Sequence, residues 1–298
     1  QYANIHAQAE GSEKRKQTAE AFRAELYDII LHAELGDKFK QELKAAVTKT
    51  FGTTDLGVFV RSDTNVEDLA GFTGAGLNLT LPNVTGFDGV VSAINKVWAS
   101  PFTARAFAWR QSHMEQPQHV YPAILLLRSV PNDKSGVMVT QDIDTGDMQT
   151  ISVAVNEGVG GAVDGQSAES LRIDTRDGSV RLLATATAPW RRQPAPQGGI
   201  VKLPASGSDT VLQPEEIQQL VAFAKALPDT FPPITDDKGN QAPADVEFGF
   251  LDGKLQLFQL RPFLQSGKAQ GNEYLINMDK ALQGNLERKV DMTGVPEA

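Results

Sequence analysis

Between residue 12 and about residue 50, apolar side chains recur mostly at spacings of three and four, with charged residues between them. Phe22, Leu26, Ile29, Ile30 and Ala33 belong to this series, whose period predicts amphipathic helices. "LGDK" at 35–38 divides the stretch into two helices, the second ending near Phe51-Gly52. "GVFV" reads as a short strand running into "RSDTNVEDLAGFTGAG". Phe87, Val90, Val91, Ile94, Val97 and Trp98 form another helical stripe, and Pro101 marks a break before a further turn through Trp109. From about residue 121 the pattern becomes strand-like. "YPAILLLRSV", "SGVMVTQDI", "QTISVAV", "SLRIDT" and "SVRLLATAT" are short β-type runs separated by turn residues. "VPNDKSG" and "DIDTGDM" predict hairpin loops, and the Pro- and Gly-rich stretch 188–209 predicts a long surface loop. Gln213-Pro214-Glu215-Glu216 opens a last helix, with Ile217, Leu220, Val221, Phe223 and Ala224 among its apolar positions. Helices, a strand-rich middle, a helix and a final strand pair predict an α+β fold with a largely antiparallel sheet.

That final pair, "DVEFGFLDGKLQLFQLRPF" at 245–263, carries Asp245, Glu247, Gln259 and Arg261 among Val, Phe and Leu. A two-residue loop at Asp252-Gly253 sets Glu247 opposite Phe258 and mixes charge with aromatic on both faces. Shifting the pairing by one residue exchanges the faces of a whole strand. A three-residue loop sets Glu247 opposite Gln259 and Asp245 opposite Arg261, leaving Val246, Phe248, Phe250, Phe258 and Leu260 on the other face. This register separates polar from apolar. Carboxylate and amide oxygens side by side suit a hard cation such as Mg²⁺, and a neighbouring arginine suits phosphate. The plain alternative is a solvent-facing strand surface with one cross-strand ion pair.

At 298 residues the chain is long for a single core, which predicts two subdomains. The composition, 41% hydrophobic and 22% charged, is that of an ordinary globular protein. A net charge of -9 argues against a basic nucleic-acid surface. The absence of cysteine excludes disulfides, thiolate metal sites and a thiol nucleophile. No apolar run approaches the roughly 18 to 20 residues a membrane helix needs, and no signal segment opens the chain. The protein is expected in the cytoplasm. Because the first residue is Gln1, the chain is expected to be a piece of something longer.

Four stretches, in this order, carry a family resemblance. "VFVRSDTNVEDLAGFTGAGLNLTLPNV", "AINKVWASPFTARAFAWR", "SGVMVTQDIDTGD" and "DVEFGFLDGKLQLFQLRPF" resemble successive motifs of the pyruvate phosphate dikinase and phosphoenolpyruvate synthase family, which includes the glucan water dikinases. The resemblance runs over roughly residues 50 to 265. It implies an ATP-grasp-like fold: 1–115 as part of an N-terminal subdomain, 116–265 as the nucleotide-binding subdomain, and 266–298 as an extension toward a next domain. It implies ATP and Mg²⁺ as ligands. Arg61 matches the arginine that contacts ATP phosphates, Glu247 and Gln259 the metal ligands, Arg261 the phosphate-side arginine and Asp245 the acid beside the metal ligand. Arg61 and Arg261 would then be the catalytic cations. In that family ATP gives its β-phosphoryl group to a histidine on a separate swivelling domain, which passes it to pyruvate or another acceptor.

Several features depart from the family pattern. The N-terminal G-G-K-G loop and the phosphohistidine signature are absent, so the chain is expected to be incomplete at its N-terminus and inactive alone. His6, His32, His113 and His119 read as surface residues. Leu127 stands where many relatives show Gln, and Gly161, in "NEGVGGAVDG", stands roughly where the family has Glu. Arg61 could instead pair with Glu67 or Asp68 beside its own strand. The competing function is a divergent, non-catalytic nucleotide-binding or structural module. A third, an ATP-grasp ligase, leaves the R-S-D-T-N-V-E-D-L motif unexplained.

Overall fold

Ser12 caps the helix α1 (Glu13–Leu31), its hydroxyl accepting a hydrogen bond from Arg15 N at 3.2 Å. These are the coordinates of a computed structural model, which describes residues 4–263 except 6, 10, 66, 67, 70, 71, 74–78, 115, 162–164, 233, 237 and 238. The extension expected at 266–298, His6 and Glu67 lie outside the described residues. Helix α2 (Asp37–Phe51) stops at Gly52, whose φ of 83° lets the chain turn out of the helix. The two-helix expectation holds, with one correction. No residue of α1 is buried and Ile29 is 56% exposed, because this helix lies outside α3 (Phe87–Ala99) instead of lining a core.

Helix α3 covers a three-stranded antiparallel sheet ordered β4-β1-β5, from β1 (Val58–Thr64), β4 (Thr80–Val84) and β5 (Pro122–Arg128). Between β1 and β4, Asp68–Leu69 (β2) pairs with Phe72–Thr73 (β3). Val58 and Val60 pack against Val90, Ala93, Ile94 and Val97 of α3. Because strand side chains alternate, burying Val58, Val60 and Ser62 directs Phe59, Arg61 and Asp63 to the opposite face. Pro101 lies in a 3₁₀ turn, Ser100–Phe102, and α4 (Ala104–His113) runs a turn beyond Trp109.

The second sheet has six antiparallel strands ordered β13-β12-β6-β7-β8-β9: β6 (Lys134–Val139), β7 (Thr150–Glu157), β8 (Glu169–Asp174), β9 (Val180–Ala184), β12 (Ala244–Leu251) and β13 (Lys254–Pro262). Helix α5 (Pro214–Thr230) lies on it, burying Leu220 and Leu227 with Met138, Ile151, Val153, Val246, Phe248 and Phe250. Its N-terminus carries the capping box that Gln213 and Glu216 form. The architecture is therefore α+β and ATP-grasp-like, with antiparallel sheets and flanking helices.

Two loop expectations are corrected. "VPNDKSG" is no hairpin loop, since β5 and β6 belong to different sheets; Asp133 N donates to Phe250 O at 2.8 Å and draws the chain onto β12. The stretch 188–209 contains a hairpin, β10 (Trp190–Pro194) with β11 (Ile200–Pro204). Pro194 and Pro204 sit at strand ends, where a missing N–H costs least, and Gly198 and Gly199 supply positive φ at the tip. The loop after β6 does join a hairpin, as expected. There Asp142 accepts hydrogen bonds from Asp144 N at 2.9 Å, Thr145 N at 3.3 Å and Arg172 Nε at 3.2 Å.

The Asp144 amide, then the Thr145 amide and the Arg172 guanidinium, hold the Asp142 carboxyl below its ordinary range. A depressed carboxylate pKa stabilises the fold above the unfolded-state value, and that share is lost as pH falls through the folded value. Asp142→Asn is expected to lower stability at neutral pH by about 1 kcal/mol. The difference from wild type should close as unfolding is followed into acid; a constant difference would exclude the carboxylate as its source.

Candidate functional site

Strand β12 alternates inward Val246, Phe248 and Phe250 with outward Asp245, Glu247 and Gly249. Its partner β13 sets Gln259 opposite Glu247 and Arg261 opposite Asp245, the pairs expected from the segregation of faces. The route to that register differs from the expected three-residue loop. Leu251 pairs with Lys254 across a two-residue turn, Asp252 (φ 51°) and Gly253 (φ 71°), both left-handed as a type I′ turn requires. The one-residue shift comes from a bulge: Phe248 pairs with Leu257 and Glu247 with Gln259, leaving Phe258 as the extra residue.

The bulge overturns the expectation that Phe258 shares the core face. Phe258 is 37% exposed and lies over Gly249, where a Cβ would meet its ring at 2.9 Å and the Asn132 amide at 2.7 Å. The polar face of the hairpin therefore carries one aromatic ring and needs glycine beneath it.

Arg61 reaches this face from the other sheet. Its Nη2 donates to Gln259 Oε1, and its Nη1 lies 3.6 Å from Glu247 Oε2. Arg261 Nε donates to Asp245 Oδ2 at 2.9 Å. The side chains of Arg61, Glu247, Arg261 and Asp245 retain 24%, 22%, 28% and 18% exposure, so each is screened yet open to a small ligand. All five residues singled out from the sequence are thus brought together, two ion pairs and an amide where the sheets meet.

The donor chemistry fits a hard divalent cation. Two oxygens, from Glu247 and Gln259, already converge on one positive group, the Arg61 guanidinium. Mg²⁺ is commonly held by one or two carboxylates with phosphate oxygens and waters completing its shell. Among the described residues no group of three or more His, Cys, Asp and Glu side chains is placed to hold a metal alone.

The glycine run gives a different picture. Gly158 has φ 76°, and a Cβ on it would lie 2.1 Å from Arg192 O in β10. A Cβ on Gly161 would meet Gln166 Oε1 at 2.5 Å. Close packing of the β10–β11 hairpin explains Gly158, and a side chain at Gly161 would also press on Asn156 Cβ at 2.8 Å, so either neighbour would have to shift; residues 162–164 lie outside the described residues. His113 stacks on Trp109 at 4.5 Å and His119 bonds the Tyr121 hydroxyl at 2.7 Å, both in exposed positions, as expected of surface histidines.

Sequence reasoning missed Asn83 and Gln193. Asn83, buried with φ 48°, donates to Ala195 O and Gly199 O, each at 2.8 Å, and Gln193 Nε2 donates to Asn132 O at 3.0 Å. These contacts fasten the β10–β11 hairpin to the first sheet and to the β5–β6 connection. A Gly-Gly tip flanked by short apolar-polar alternation was the available signal.

The family described as "Pyruvate phosphate dikinase, AMP/ATP-binding domain" matches residues 3–281. The chain is 28% identical over 256 residues to a probable phosphoenolpyruvate synthase of Methanothermobacter thermautotrophicus, covering 83% of this chain and 36% of that protein. It is 27% identical over 263 residues to the phosphoenolpyruvate synthase of Pyrococcus furiosus, covering 84% and 31%. A rifampicin phosphotransferase of a Streptomyces species is 28% identical over 207 residues, covering 68% and 23%. The chain spans about a third of the length of the synthases it matches.

Proposed function

The chain belongs to the pyruvate phosphate dikinase AMP/ATP-binding domain family, and from that premise we propose that it is the ATP- and Mg²⁺-binding part of a phosphotransferase. In this reading the phosphoryl group leaves ATP for a histidine on a separate domain. Phosphoryl transfer needs mainly positioning and neutralisation of charge. Arg61 and Arg261 would hold phosphate oxygens, Arg61 offering its planar fork and Arg261 remaining oriented by Asp245. Glu247 and Gln259 would hold Mg²⁺, which supplies charge neutralisation at the phosphates when bound. The observation that carries the reading is the convergence of Arg61 on Glu247 and Gln259, the latter 198 residues away in sequence.

One observation favours a second reading. The five side chains already balance one another, with two cations against two carboxylates, so a purely structural module could keep them. Calorimetric titration with ATP decides between the two. The phosphotransferase reading expects binding that depends on Mg²⁺ and falls at least tenfold in Arg261→Ala, about the loss of one charge-assisted contact. Absence of binding at millimolar ATP, in this chain and in a longer version extended upstream, would leave the structural module. No helix among the described residues is long and apolar enough to cross a membrane.

A further inference from the structure

Arg61 touches both residues assigned to the metal. One guanidinium nitrogen donates to Gln259 Oε1 and the other terminal nitrogen sits 3.6 Å from Glu247 Oε2. We infer that Arg61 is a built-in competitor of the divalent cation, holding Glu247 and Gln259 in the metal-free protein until nucleotide phosphate draws it away. The inference rests on reading Glu247 and Gln259 as the metal ligands.

Three features of the site lead there. First, Glu247 and Gln259 are directly opposed across the hairpin, so their side chains start about 5 Å apart and converge on the same space. A guanidinium fills that space because its fork is planar and offers donors to two acceptors at once. Second, the other acid cannot easily balance a second cation. Asp245 is paired with Arg261 at 2.9 Å, so a divalent ion arriving beside Arg61 would share the Glu247 carboxylate with it. Like charges a few ångströms apart in a partly buried site repel. Third, a phosphate chain changes the balance. It offers Arg61 a bidentate partner of higher charge and offers the metal further oxygens. Nucleotide and metal therefore favour one another, and by linkage each raises the other's affinity by the same factor.

The competition has a direct readout in the absence of nucleotide. Mn²⁺ serves as the probe, with free Mn²⁺ followed by electron paramagnetic resonance during titration of the 298-residue chain. Wild type should bind Mn²⁺ weakly, and Arg61→Ala roughly tenfold more tightly, about the worth of one charge-assisted hydrogen bond. Arg61→Lys keeps the charge but cannot bridge two oxygens, so it should gain about two- to threefold. Adding Glu247→Gln to either variant should remove the gain. Arg261→Ala, which removes a cation from the same face but not from these oxygens, should gain less than Arg61→Ala.

An unchanged or weakened Mn²⁺ affinity in Arg61→Ala would overturn the competition. So would an equal gain in Arg261→Ala, which would mark a general effect of net charge. Thermal unfolding of each variant identifies any that fails to fold, and Arg61→Lys then carries the test alone. Failure here is separable from failure of the nucleotide reading. A gain in Mn²⁺ affinity without ATP binding, in this chain and in the version extended upstream, would keep the competition and sink the phosphotransferase, and ATP binding without the gain would do the reverse.

Discussion

Glu247→Gln is expected to remove the Mg²⁺ dependence of ATP binding. Affinity in saturating Mg²⁺ should fall about a hundredfold, or roughly 3 kcal/mol. Metal-free binding should stay the same or improve. The two signs differ because the carboxylate has two electrostatic roles. With the ion present it is the only charged protein ligand among the residues assigned to the metal, so its loss weakens the ion and the phosphates that share it. Without the ion it is a negative charge facing a polyphosphate, and it competes with that polyphosphate for Arg61, 3.6 Å away. The amide keeps the shape of the side chain and an oxygen for Arg61, so the backbone register and the buried Phe248 next to it should not move. Calorimetry with and without Mg²⁺ reads both affinities. An equal loss under the two conditions would mean that Glu247 supports the fold and not the metal.

The hairpin shows how far sequence reasoning reaches. The pairing of Glu247 with Gln259 and of Asp245 with Arg261 was legible because a mixed face is costly in a sheet with one buried side. The bulge was not legible, although Asp252-Gly253 is a strong two-residue turn signal; accepting both the turn and the segregated faces would have required one unpaired residue. Assigning the shift to the loop placed Phe258 in the core instead of over Gly249. Helix periods were legible where a helix is buried along a full stripe, as in α3, and misleading in α1, whose apolar residues face only one neighbouring layer. The meeting of Arg61 with the hairpin was beyond any local pattern. Alternation in β1 could turn Arg61 away from Val60, but only the packing of two sheets determines what waits on that side. Family resemblance assigned Arg61 and the hairpin residues to one nucleotide site, and the contact with Gln259 sets them side by side. The β10–β11 hairpin was hidden because proline and glycine, read as loop markers, here end its strands and build its tip.

That hairpin carries the second large effect. Asn83→Ala is expected to cost about 3 kcal/mol, from two lost buried hydrogen bonds and a non-glycine residue left at positive φ. Asn83 is 4% exposed at φ 48°, a conformation asparagine tolerates better than alanine. Its amide nitrogen donates to Ala195 O and Gly199 O, and its own carbonyl accepts from Gly199 N at 2.8 Å. A Cβ on Gly57 would lie 1.9 Å from Asn83 Oδ1, so the side chain fits against bare backbone. Removing it costs each carbonyl one of its two donors, since Ala195 O still accepts from Gly198 N and Gly199 O from Ala195 N, each at 3.0 Å, and leaves a gap beside Gly57. Asn83→Gly separates the causes: it loses the same bonds but relieves the backbone, and should cost about 1 kcal/mol less than alanine. Because Asn83 grips the hairpin tip while Val159 N and Gln193 hold strand β10 along its length, amide exchange should quicken over residues 190–204 before it quickens in β12. Loss of protection there first would make Asn83 the fastening between the hairpin and the first sheet. A cost under about 1 kcal/mol with exchange unchanged over 190–204 would show that the contacts of β10 suffice to hold the hairpin.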